Sequence, residues 1–220
     1  MFYSSTFLSI ILAFFVFLNL QGESITIIQK ENEPAFANIV RTDTATETIL
    51  AQHYARLTLE VFDRFGCGQC DRMAKEIMPT LRQRYEHNDE VKFSVFLSPD
   101  PRNEAQMDAA RGLICAGEQG KYWEMYNALH TEWPLDKRGV DLTAQGFDVD
   151  IVAFRKCLAA EETAAKLQEE ISYAAQKKVT RMPTIFVNEY SLSYFQPIEN
   201  IDRMIRRVTR SGDVVTPLDQ

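Results

Sequence analysis

The fold is decided by one stretch of the sequence, Phe62-Asp63-Arg64-Phe65-Gly66-Cys67-Gly68-Gln69-Cys70. Its CxxC motif, Cys67 and Cys70, stands between an apolar strand-like run, residues 57–62, and a helix-like run, residues 71–85. The first turn of a helix has unpaired N–H groups and a partial positive charge, and both stabilise a thiolate. A CxxC motif that opens a helix therefore predicts a redox-active dithiol, whereas a zinc site would need two further ligands.

The charge of the chain argues against a nucleic-acid partner. The chain has 220 residues and a formal net charge of −7. The basic run Arg203-Met204-Ile205-Arg206-Arg207 has apolar neighbours at helical spacing, so it indicates the solvent-exposed face of a helix rather than a nucleic-acid patch. The length allows one domain, or one domain with a large insertion.

An apolar run near the N-terminus, residues 7–20, predicts export. It is interrupted by Ser9 and Asn19 and is shorter than the about 20 residues of a membrane span, which suits the apolar region of a signal peptide. Residues 1–6 contain no Lys or Arg, and no A-x-A cleavage site follows. We therefore predict an N-terminal signal over residues 1–22 and a periplasmic or otherwise extracytoplasmic location. Whether the segment is cleaved or stays as a membrane anchor is left open.

The cysteine count is even, as in proteins of oxidising compartments. Four cysteines allow three pairings, and pairing of the neighbours Cys67 and Cys70 leaves Cys115 with Cys157. We predict that the second disulfide is structural and joins two helices, because neither of its cysteines belongs to a CxxC motif or begins a predicted helix. The alternative is a second redox pair that passes electrons to the first.

The order of the predicted elements gives the fold class. Four strand patterns, residues 57–62, 91–97, 184–187 and 191–195, alternate with helical patterns. Without a helical block at residues 103–172 the order is that of a thioredoxin core, so we predict an α/β protein: a thioredoxin fold with an inserted all-helical subdomain. The predicted segments are an N-terminal signal or anchor (1–22), an extension or linker with a short edge strand at 37–40 (23–56), the first half of the core (57–102), the helical insertion (103–172), the second half of the core (173–210) and a tail (211–220).

Helix signals follow from apolar periodicity and from capping residues. A helix over residues 68–86 has an apolar residue at every fourth position, and Pro79 inside it should kink it. Asn103 is a suitable N-cap for the next helix. The further predicted helices are residues 104–116, 122–132, 150–159, 161–177 and 197–209.

Three segments together carry a family resemblance. The first is the strand–CxxC–helix unit, residues 57–73. The second is Cys115-Ala116-Gly117-Glu118-Gln119-Gly120-Lys121-Tyr122-Trp123-Glu124-Met125-Tyr126, and the third is Val179-Thr180-Arg181-Met182-Pro183-Thr184-Ile185-Phe186-Val187-Asn188. They resemble, in turn, the active-site unit, the paired insertion helices and the cis-proline segment of the DsbA family of extracytoplasmic thiol–disulfide oxidoreductases. The resemblance covers roughly residues 57–208.

The resemblance implies the roles of the dithiol and of the proline loop. Cys67 would be the exposed nucleophile, and Cys70 would resolve the mixed disulfide. A cis peptide bond at Pro183 would turn the loop against the dithiol, and the missing proline N–H keeps a competing donor away from the thiolate. The alternative is an ordinary proline that opens a strand. The backbone of Met182 would bind an extended substrate by a short β-strand addition.

The residues around the CxxC motif complete the predicted site. Gly68, Gln69 and Phe65 are candidate substrate contacts, although Phe65 suits the core equally well. The DsbA family usually has a buried acidic residue six positions before the first cysteine as a proton relay, and this chain has Val61 there. Glu60 is the candidate relay, although the alternation of strand side chains sets it on the opposite face from Val61.

The predicted function is transfer of a disulfide from Cys67 and Cys70 to folding exported proteins. The family implies reoxidation by a membrane quinone-linked partner of the DsbB or vitamin K epoxide reductase type. We expect a monomer that holds no metal and no cofactor besides its own disulfide. Gly68 and Gln69 replace the Pro-His of a strongly oxidising relative, so a reductase or isomerase of the same fold is the alternative. A second alternative is a non-enzymatic envelope chaperone or a copper-binding protein.

Overall fold

A four-stranded mixed sheet with strand order β2-β1-β3-β4 organises the part of the chain that the structure describes. The computed structural model describes residues 56–131 and 135–211. β1 pairs in parallel with β2 and antiparallel with β3, and β3 pairs antiparallel with β4. The strands are β1 (Leu57–Asp63), β2 (Val91–Leu97), β3 (Thr184–Val187) and β4 (Tyr190–Ser193).

Helices surround the sheet, and five of the eight in the described ranges lie between β2 and β3 in the sequence. The order β-α-α-β, five helices, β-β-α confirms the predicted α/β fold class, a thioredoxin core with a helical insertion. The helices are α1 (Gly68–Glu76), α2 (Met78–Tyr85), α3 (Glu104–Gly117), α4 (Tyr122–Leu129), α5 (Lys137–Gln145), α6 (Ile151–Leu158), α7 (Glu161–Gln176) and α8 (Ile198–Ser211).

The two faces of β1 pack against different parts of the protein. Successive side chains of a strand point to opposite faces. Val61 therefore shares a core with Met73 and Ile77, which flank the end of α1. Phe62 lies on the other face, where its ring stacks on that of Phe96 with centroids 5.2 Å apart. β1 lies between β2 and β3 and is buried at every position except Thr58, and its carboxyl end leads into the CxxC motif.

The helix predicted over residues 68–86 is interrupted near its middle. α1 ends at Glu76, and Ile77 stands between the two helices with a φ of −114°. Pro79 occupies the first turn of α2. A proline inside a helix lacks the N–H donor and clashes with the preceding turn, whereas the first turn tolerates it. The predicted kink is confirmed and is a full break between two helices.

The sequence patterns did not predict α5. Asp136 caps it, since its carboxylate accepts a hydrogen bond from the backbone N–H of Gly139 at 2.8 Å. Val140 of α5 packs closely on Gly112 of α3, where an added Cβ atom would clash with the valine side chain. A helix of 9 residues with an internal glycine is a weak local signal. Packing against α3 therefore accounts for α5 better than its own propensity does.

The ends of several other elements differ from the predicted ends by a few residues. α4 ends at Leu129 rather than at residue 132, and α8 continues to Ser211 rather than stopping at residue 209. β4 covers Tyr190–Ser193 instead of residues 191–195. Asn103 is confirmed as the N-cap of α3, because its Oδ1 accepts a hydrogen bond from the backbone N–H of Gln106 at 3.2 Å.

Some predictions fall outside the described residues. They are the N-terminal signal over residues 1–22, the linker up to residue 55 with its edge strand, and the tail from residue 212. The segment boundaries stay predictions. None of the helices in residues 56–131 and 135–211 is both long and apolar enough to cross a membrane.

Candidate functional site

The CxxC motif lies at the junction of β1 and α1, and its two cysteines form a disulfide. Cys67 is the N-cap residue of α1, and the backbone N–H of Cys70 points at the Sγ atom of Cys67 from 3.4 Å. Cys67 is partly exposed, whereas Cys70 is 0% exposed. An incoming sulfur can therefore reach Cys67 but not Cys70, and the helix N-terminus favours a thiolate on the reachable atom.

The chain turns from β1 into α1 at Gly66. This residue has a φ of 71°, in the left-handed region that favours glycine. The turn separates Asp63, the last residue of β1, from Cys67. The backbone N–H of Asp71 then donates to the carbonyl oxygen of Cys67 at 2.9 Å and closes the first turn of the helix. Cys67 is thereby held at the carboxyl end of the central strand.

A second loop approaches the dithiol from 115 positions further along the chain. The peptide bond between Met182 and Pro183 is cis, as predicted. The carbonyl oxygen of Met182 lies 3.9 Å from the Sγ atom of Cys67. Pro183 is buried, and its carbonyl accepts a hydrogen bond from the backbone N–H of Tyr194 at 2.7 Å. The loop therefore presents the partly exposed Met182 beside the reactive sulfur.

A third segment, the loop after β4, contacts Gln69 in the middle of the motif. Gly68 and Gln69 are both exposed. The Oε1 atom of Gln69 accepts a hydrogen bond from the backbone N–H of Phe195 at 3.0 Å, and the guanidinium of Arg72 lies 3.7 Å from the centre of the Phe195 ring. Beside them Tyr194 is 41% exposed. The predicted contacts Gly68, Gln69 and Met182 are therefore brought together, with an aromatic rim that the sequence did not predict.

An ionisable cluster adjoins the CxxC motif and consists of the buried Asp63 and His130 and the partly exposed Asp71. His130 follows the last residue of α4. Its Nε2 atom is 3.0 Å from Oδ2 of Asp63, and its Nδ1 atom is 2.9 Å from Oδ1 of Asp71. The hydroxyl of Tyr126 also donates to Oδ2 of Asp63, and the backbone N–H of Arg64 donates to Oδ1 at 2.7 Å. Both ring nitrogens face carboxylate oxygens, so a protonated imidazole donates to both.

Glu60, the predicted proton relay, lies on the other face of β1. Its Oε1 atom accepts a hydrogen bond from the hydroxyl of Tyr173 at 2.6 Å, and its Oε2 atom lies 3.0 Å from the Nζ atom of Lys177. Tyr173 also contacts the ring of Phe62, which places Glu60 and Phe62 on one face. Burial and the hydrogen bond to Glu60 raise the pKa of Tyr173. The relay role of Glu60 stays a prediction.

Phe65 does not fit the substrate-contact role predicted for it. Its side chain is 1% exposed. Its ring centroid lies 4.7 Å from that of His130 and 6.2 Å from that of Tyr126. The residue before the turn at Gly66 therefore points into the protein and covers the ionisable cluster, which corresponds to the second role considered for it, that of a core residue.

Most of the chain matches one known protein family. The family model described as Thioredoxin matches residues 43–207. The chain belongs to the thioredoxin family. The matched range contains the CxxC motif, the helical segment and the cis-proline loop, which are the three segments that carried the resemblance.

Solved structures establish the DsbA-like form of this thioredoxin fold. A thioredoxin-like oxidoreductase from Silicibacter pomeroyi superposes with a TM-score of 0.62 at 20% identity, over 71% of this chain and 88% of that chain. DsbA from Chlamydia trachomatis superposes with a TM-score of 0.62 at 16% identity, over 72% of this chain and 89% of that chain. The thioredoxin family, the fold and the Cys67–Cys70 disulfide expected of a thiol–disulfide oxidoreductase are thus confirmed.

A curated relative is a much longer protein. The Na(+)/H(+) antiporter NhaA 3 of Salinispora tropica is 28% identical over 154 residues, which are 68% of this chain and 23% of that protein. The alignment with this thioredoxin-family chain therefore spans about a quarter of the relative's length.

The electrostatics of this thioredoxin-family site depend on His130. Burial lowers the pKa of His130, but the charge of Asp63 and the hydrogen bonds to Asp63 and Asp71 outweigh it and raise the pKa from 6.5 to about 9. The ring is therefore an imidazolium at neutral pH. One positive charge then stands between the two carboxylates.

Local sequence signals for this cluster were weak. Tyr126 and His130 are four positions apart on a predicted helix and therefore share a face, which was the one usable hint. Asp63 and Asp71 flank the CxxC motif. In the sequence alone, however, Asp63 is an acidic residue at the end of a predicted strand and Asp71 one in the first turn of a predicted helix, and neither position indicates a cluster. The cluster joins residues 59 and 67 positions apart, so it depends on how α4 docks against β1 and α1.

The second disulfide joins α3 and α6 of the helical segment. Cys115 and Cys157 are bonded, with Cα atoms 5.7 Å apart, so the predicted pairing is confirmed. Cys115 is 0% exposed, and Cys157 lies 3.3 Å from the hydroxyl of Thr163. Both cysteines lie near the C-terminal ends of their helices, where the helix dipole disfavours a thiolate. This position supports the structural role over the redox role.

Proposed function

We propose that this protein is an extracytoplasmic, DsbA-like oxidase that transfers the Cys67–Cys70 disulfide to folding exported proteins. The observation that carries the proposal is the asymmetry of the pair. Cys67 is accessible, stands at the N-cap of α1 and receives the N–H of Cys70, while Cys70 itself is buried. Stabilisation of a thiolate at the accessible sulfur stabilises the reduced protein, and a protein with a stabilised reduced form is an oxidant.

The transfer takes two exchange steps. A substrate thiolate attacks the Sγ atom of Cys67, the intramolecular disulfide breaks, and Cys70 leaves and takes up a proton. A second substrate thiolate then attacks the substrate sulfur of the mixed disulfide and releases Cys67 as a thiolate. The substrate loses two electrons and gains a disulfide, and the CxxC motif gains the two electrons, so no bound cofactor is required. Glu60 is the proposed relay for the proton that Cys70 takes up.

The substrate is proposed to lie in an extended form along the cis-proline loop. The carbonyl of Met182 stands 3.9 Å from the sulfur that is attacked, so a peptide that bonds to the Met182 backbone has its cysteine beside Cys67. Gly68 and Gln69 form the opposite side of this approach and are exposed. Tyr194 adds an exposed apolar ring, which suits unfolded chains of varied sequence.

The proposed compartment is oxidising and outside the cytoplasm. The apolar run at residues 7–20 supports export, and the Cys115–Cys157 disulfide supports an oxidising environment, because structural disulfides persist mainly there. The reduced dithiol needs an electron acceptor. We propose a membrane quinone-linked reoxidase of the DsbB or vitamin K epoxide reductase type, and a monomeric donor.

The reduction potential tests this function. The full chain is equilibrated in glutathione buffers, and the Cys67–Cys70 thiols are counted by alkylation and mass. An oxidase should lie toward the DsbA end of the scale, about −120 mV, whereas a value near that of thioredoxin, about −270 mV, would replace the oxidase with the reductase. Insulin reduction and the refolding of a scrambled substrate separate reductase from isomerase. Retention of a client by a Cys67→Ser, Cys70→Ser variant would favour the chaperone.

A further inference from the structure

The cluster of Asp63, His130 and Asp71 connects the helical segment to the first turn of the dithiol helix. Asp63 ends β1 and is 0% exposed, and His130 is also buried. Asp71 follows Cys70 directly, lies in the first turn of α1, and its side chain is 24% exposed. Asp71 also donates its backbone N–H to the carbonyl of Cys67. The cluster therefore joins two buried residues, Asp63 and His130, to Asp71 in the first helical turn beside both cysteines.

The charges around His130 are few and can be counted by element. β1 contributes the carboxylate of Asp63, and α1 contributes that of Asp71. α4, which precedes His130, contributes the neutral hydroxyl of Tyr126, and the turn before Cys67 contributes the uncharged ring of Phe65. Within the described residues, His130 is the one basic side chain that forms an ion pair with either carboxylate. Without it the first turn would keep a net negative charge beside the dithiol.

We propose that His130 is a positioning residue that neutralises Asp71 in the first turn of α1 and thereby favours the thiolate of Cys67, so that a side chain of the helical segment sets the redox potential of the dithiol. The inference rests on the proposed disulfide exchange at Cys67. It assigns His130 no contact with substrate and no proton transfer to a sulfur.

The charge balance of the reaction explains why this position matters. Reduction of the Cys67–Cys70 disulfide adds two electrons, and when Cys70 takes up one proton, Cys67 remains as a thiolate with one net negative charge. That charge arises at the N-cap of α1, within one helical turn of the carboxylate of Asp71. Like charges at this separation disfavour each other, so an unpaired Asp71 opposes reduction and a paired one opposes it less. The raised pKa of His130 keeps the ring charged up to about pH 9, so the effect is present at neutral pH.

Two substitutions should change the pKa of Cys67, and the equilibrium constant for reduction by glutathione, in opposite directions. His130→Gln removes the positive charge and should raise the pKa of Cys67, with a fall of about fivefold to tenfold in the equilibrium constant for reduction by glutathione. Asp71→Asn removes the negative charge, leaves His130 with Asp63, and should lower the pKa of Cys67 and raise the same constant by a similar factor. The double variant should return close to the wild type, because both charges of the pair are absent.

The experiment measures two quantities on the full chain: the pKa of Cys67, from the ultraviolet absorbance of its thiolate, and the equilibrium constant with glutathione. His87→Gln and Asp89→Asn, both at exposed positions outside the cluster, are the matched controls and should leave both quantities unchanged. If His130 only holds the fold together, His130→Gln lowers the free energy of unfolding but leaves both quantities at the wild-type value, and the inference is overturned. Should that variant fail to fold, the partly exposed Asp71→Asn decides by the same criterion.

The test of His130 does not depend on whether the protein oxidises or reduces its substrates. A low wild-type potential would remove the oxidase function but would still allow the variants to differ from the wild type. Equal potentials among wild type, His130→Gln and Asp71→Asn would remove the role of His130, whatever the wild-type value is.

Discussion

Gln69 and Phe195 are joined by a hydrogen bond across the dithiol surface, although they are 126 positions apart in the chain. Gln69 is one of the two residues between the cysteines, and Phe195 follows β4. The middle of the CxxC motif therefore does more than separate two sulfurs, because its carboxamide holds the loop that borders the substrate approach. Arg72, one turn further along α1, lies over the Phe195 ring and strengthens the same contact.

Replacing Gln69 by Ala should loosen this loop without unfolding the protein. The lost hydrogen bond contributes about 1 kcal/mol, so the Phe195 amide should exchange with solvent about fivefold faster. The Michaelis constant for a dithiol peptide should rise while the reduction potential changes little. Amide exchange by NMR and peptide oxidation rates measure the two effects. Gln83→Ala, at an exposed position of α2, is the control, and unchanged Phe195 exchange in Gln69→Ala would contradict the contact.

The two glycines beside Cys67 should respond in opposite ways to alanine. Gly68 begins α1, and no atom lies within 4 Å of an added Cβ, so Gly68→Ala should stabilise the protein by about 0.5–1 kcal/mol. Gly66 has a φ of 71°, so Gly66→Ala should destabilise it by about 1–2 kcal/mol. Urea unfolding of the oxidised proteins measures both. Equal effects of the two substitutions would show that the turn at Gly66 is not the strained position.

The fold could be predicted largely because its signals act over a few residues. The alternation in β1, the cap at Asn103 and the CxxC motif at a helix start each depend on near neighbours, and each is found where it was predicted. The cis bond before Pro183 was implied by family resemblance and would not follow from local propensity. α5 was missed because its position depends on packing of Val140 against α3.

The site could be predicted only in its local part. Cys67, Gly68, Gln69 and Cys70 follow from the motif itself, whereas His130 reaches Asp63 and Asp71 only after α4 docks on the core. Glu60, the candidate for the acid that the DsbA family usually has six positions before the first cysteine, lies on the Phe62 face of β1. The buried carboxylate on the Val61 face is Asp63, two positions later, because strand side chains repeat every second residue.

Removing the second disulfide should lower the free energy of unfolding but leave the redox chemistry of Cys67 and Cys70 unchanged. The Cys115→Ala, Cys157→Ala variant opens a link between residues 42 positions apart, and the chain-entropy model gives a loss of about 3–4 kcal/mol. The equilibrium of Cys67–Cys70 with glutathione should stay at the wild-type value. Denaturant unfolding and thiol counting test the two statements. A folded variant that no longer turns over substrate would instead support electron transfer between the two disulfides.

Glu170 should make the protein less stable as the pH rises. It is buried on α7, and its Oε2 atom accepts the backbone N–H of Leu97 at 2.6 Å. Burial raises its pKa from 4.5 to about 8, against the opposing effect of the Leu97 hydrogen bond. The folded protein thus binds this proton more tightly than the unfolded chain. The stability that Glu170 contributes is therefore fully present below about pH 4.5 and is lost as the pH rises to about 8.

Glu170→Gln should remove this loss, because the amide is neutral at every pH and its oxygen can still accept the Leu97 N–H. Its melting temperature should exceed that of the wild type by several degrees at pH 8, since each kcal/mol corresponds to about 2–4 °C in a domain of this size. At pH 5, just above the unfolded-state pKa of 4.5, little of this stability has been lost, so the difference should be much smaller. Calorimetry at both pH values, with the exposed Glu162→Gln as the matched control, measures it. A difference that is the same at both pH values would mean that Glu170 does not change its protonation state on unfolding.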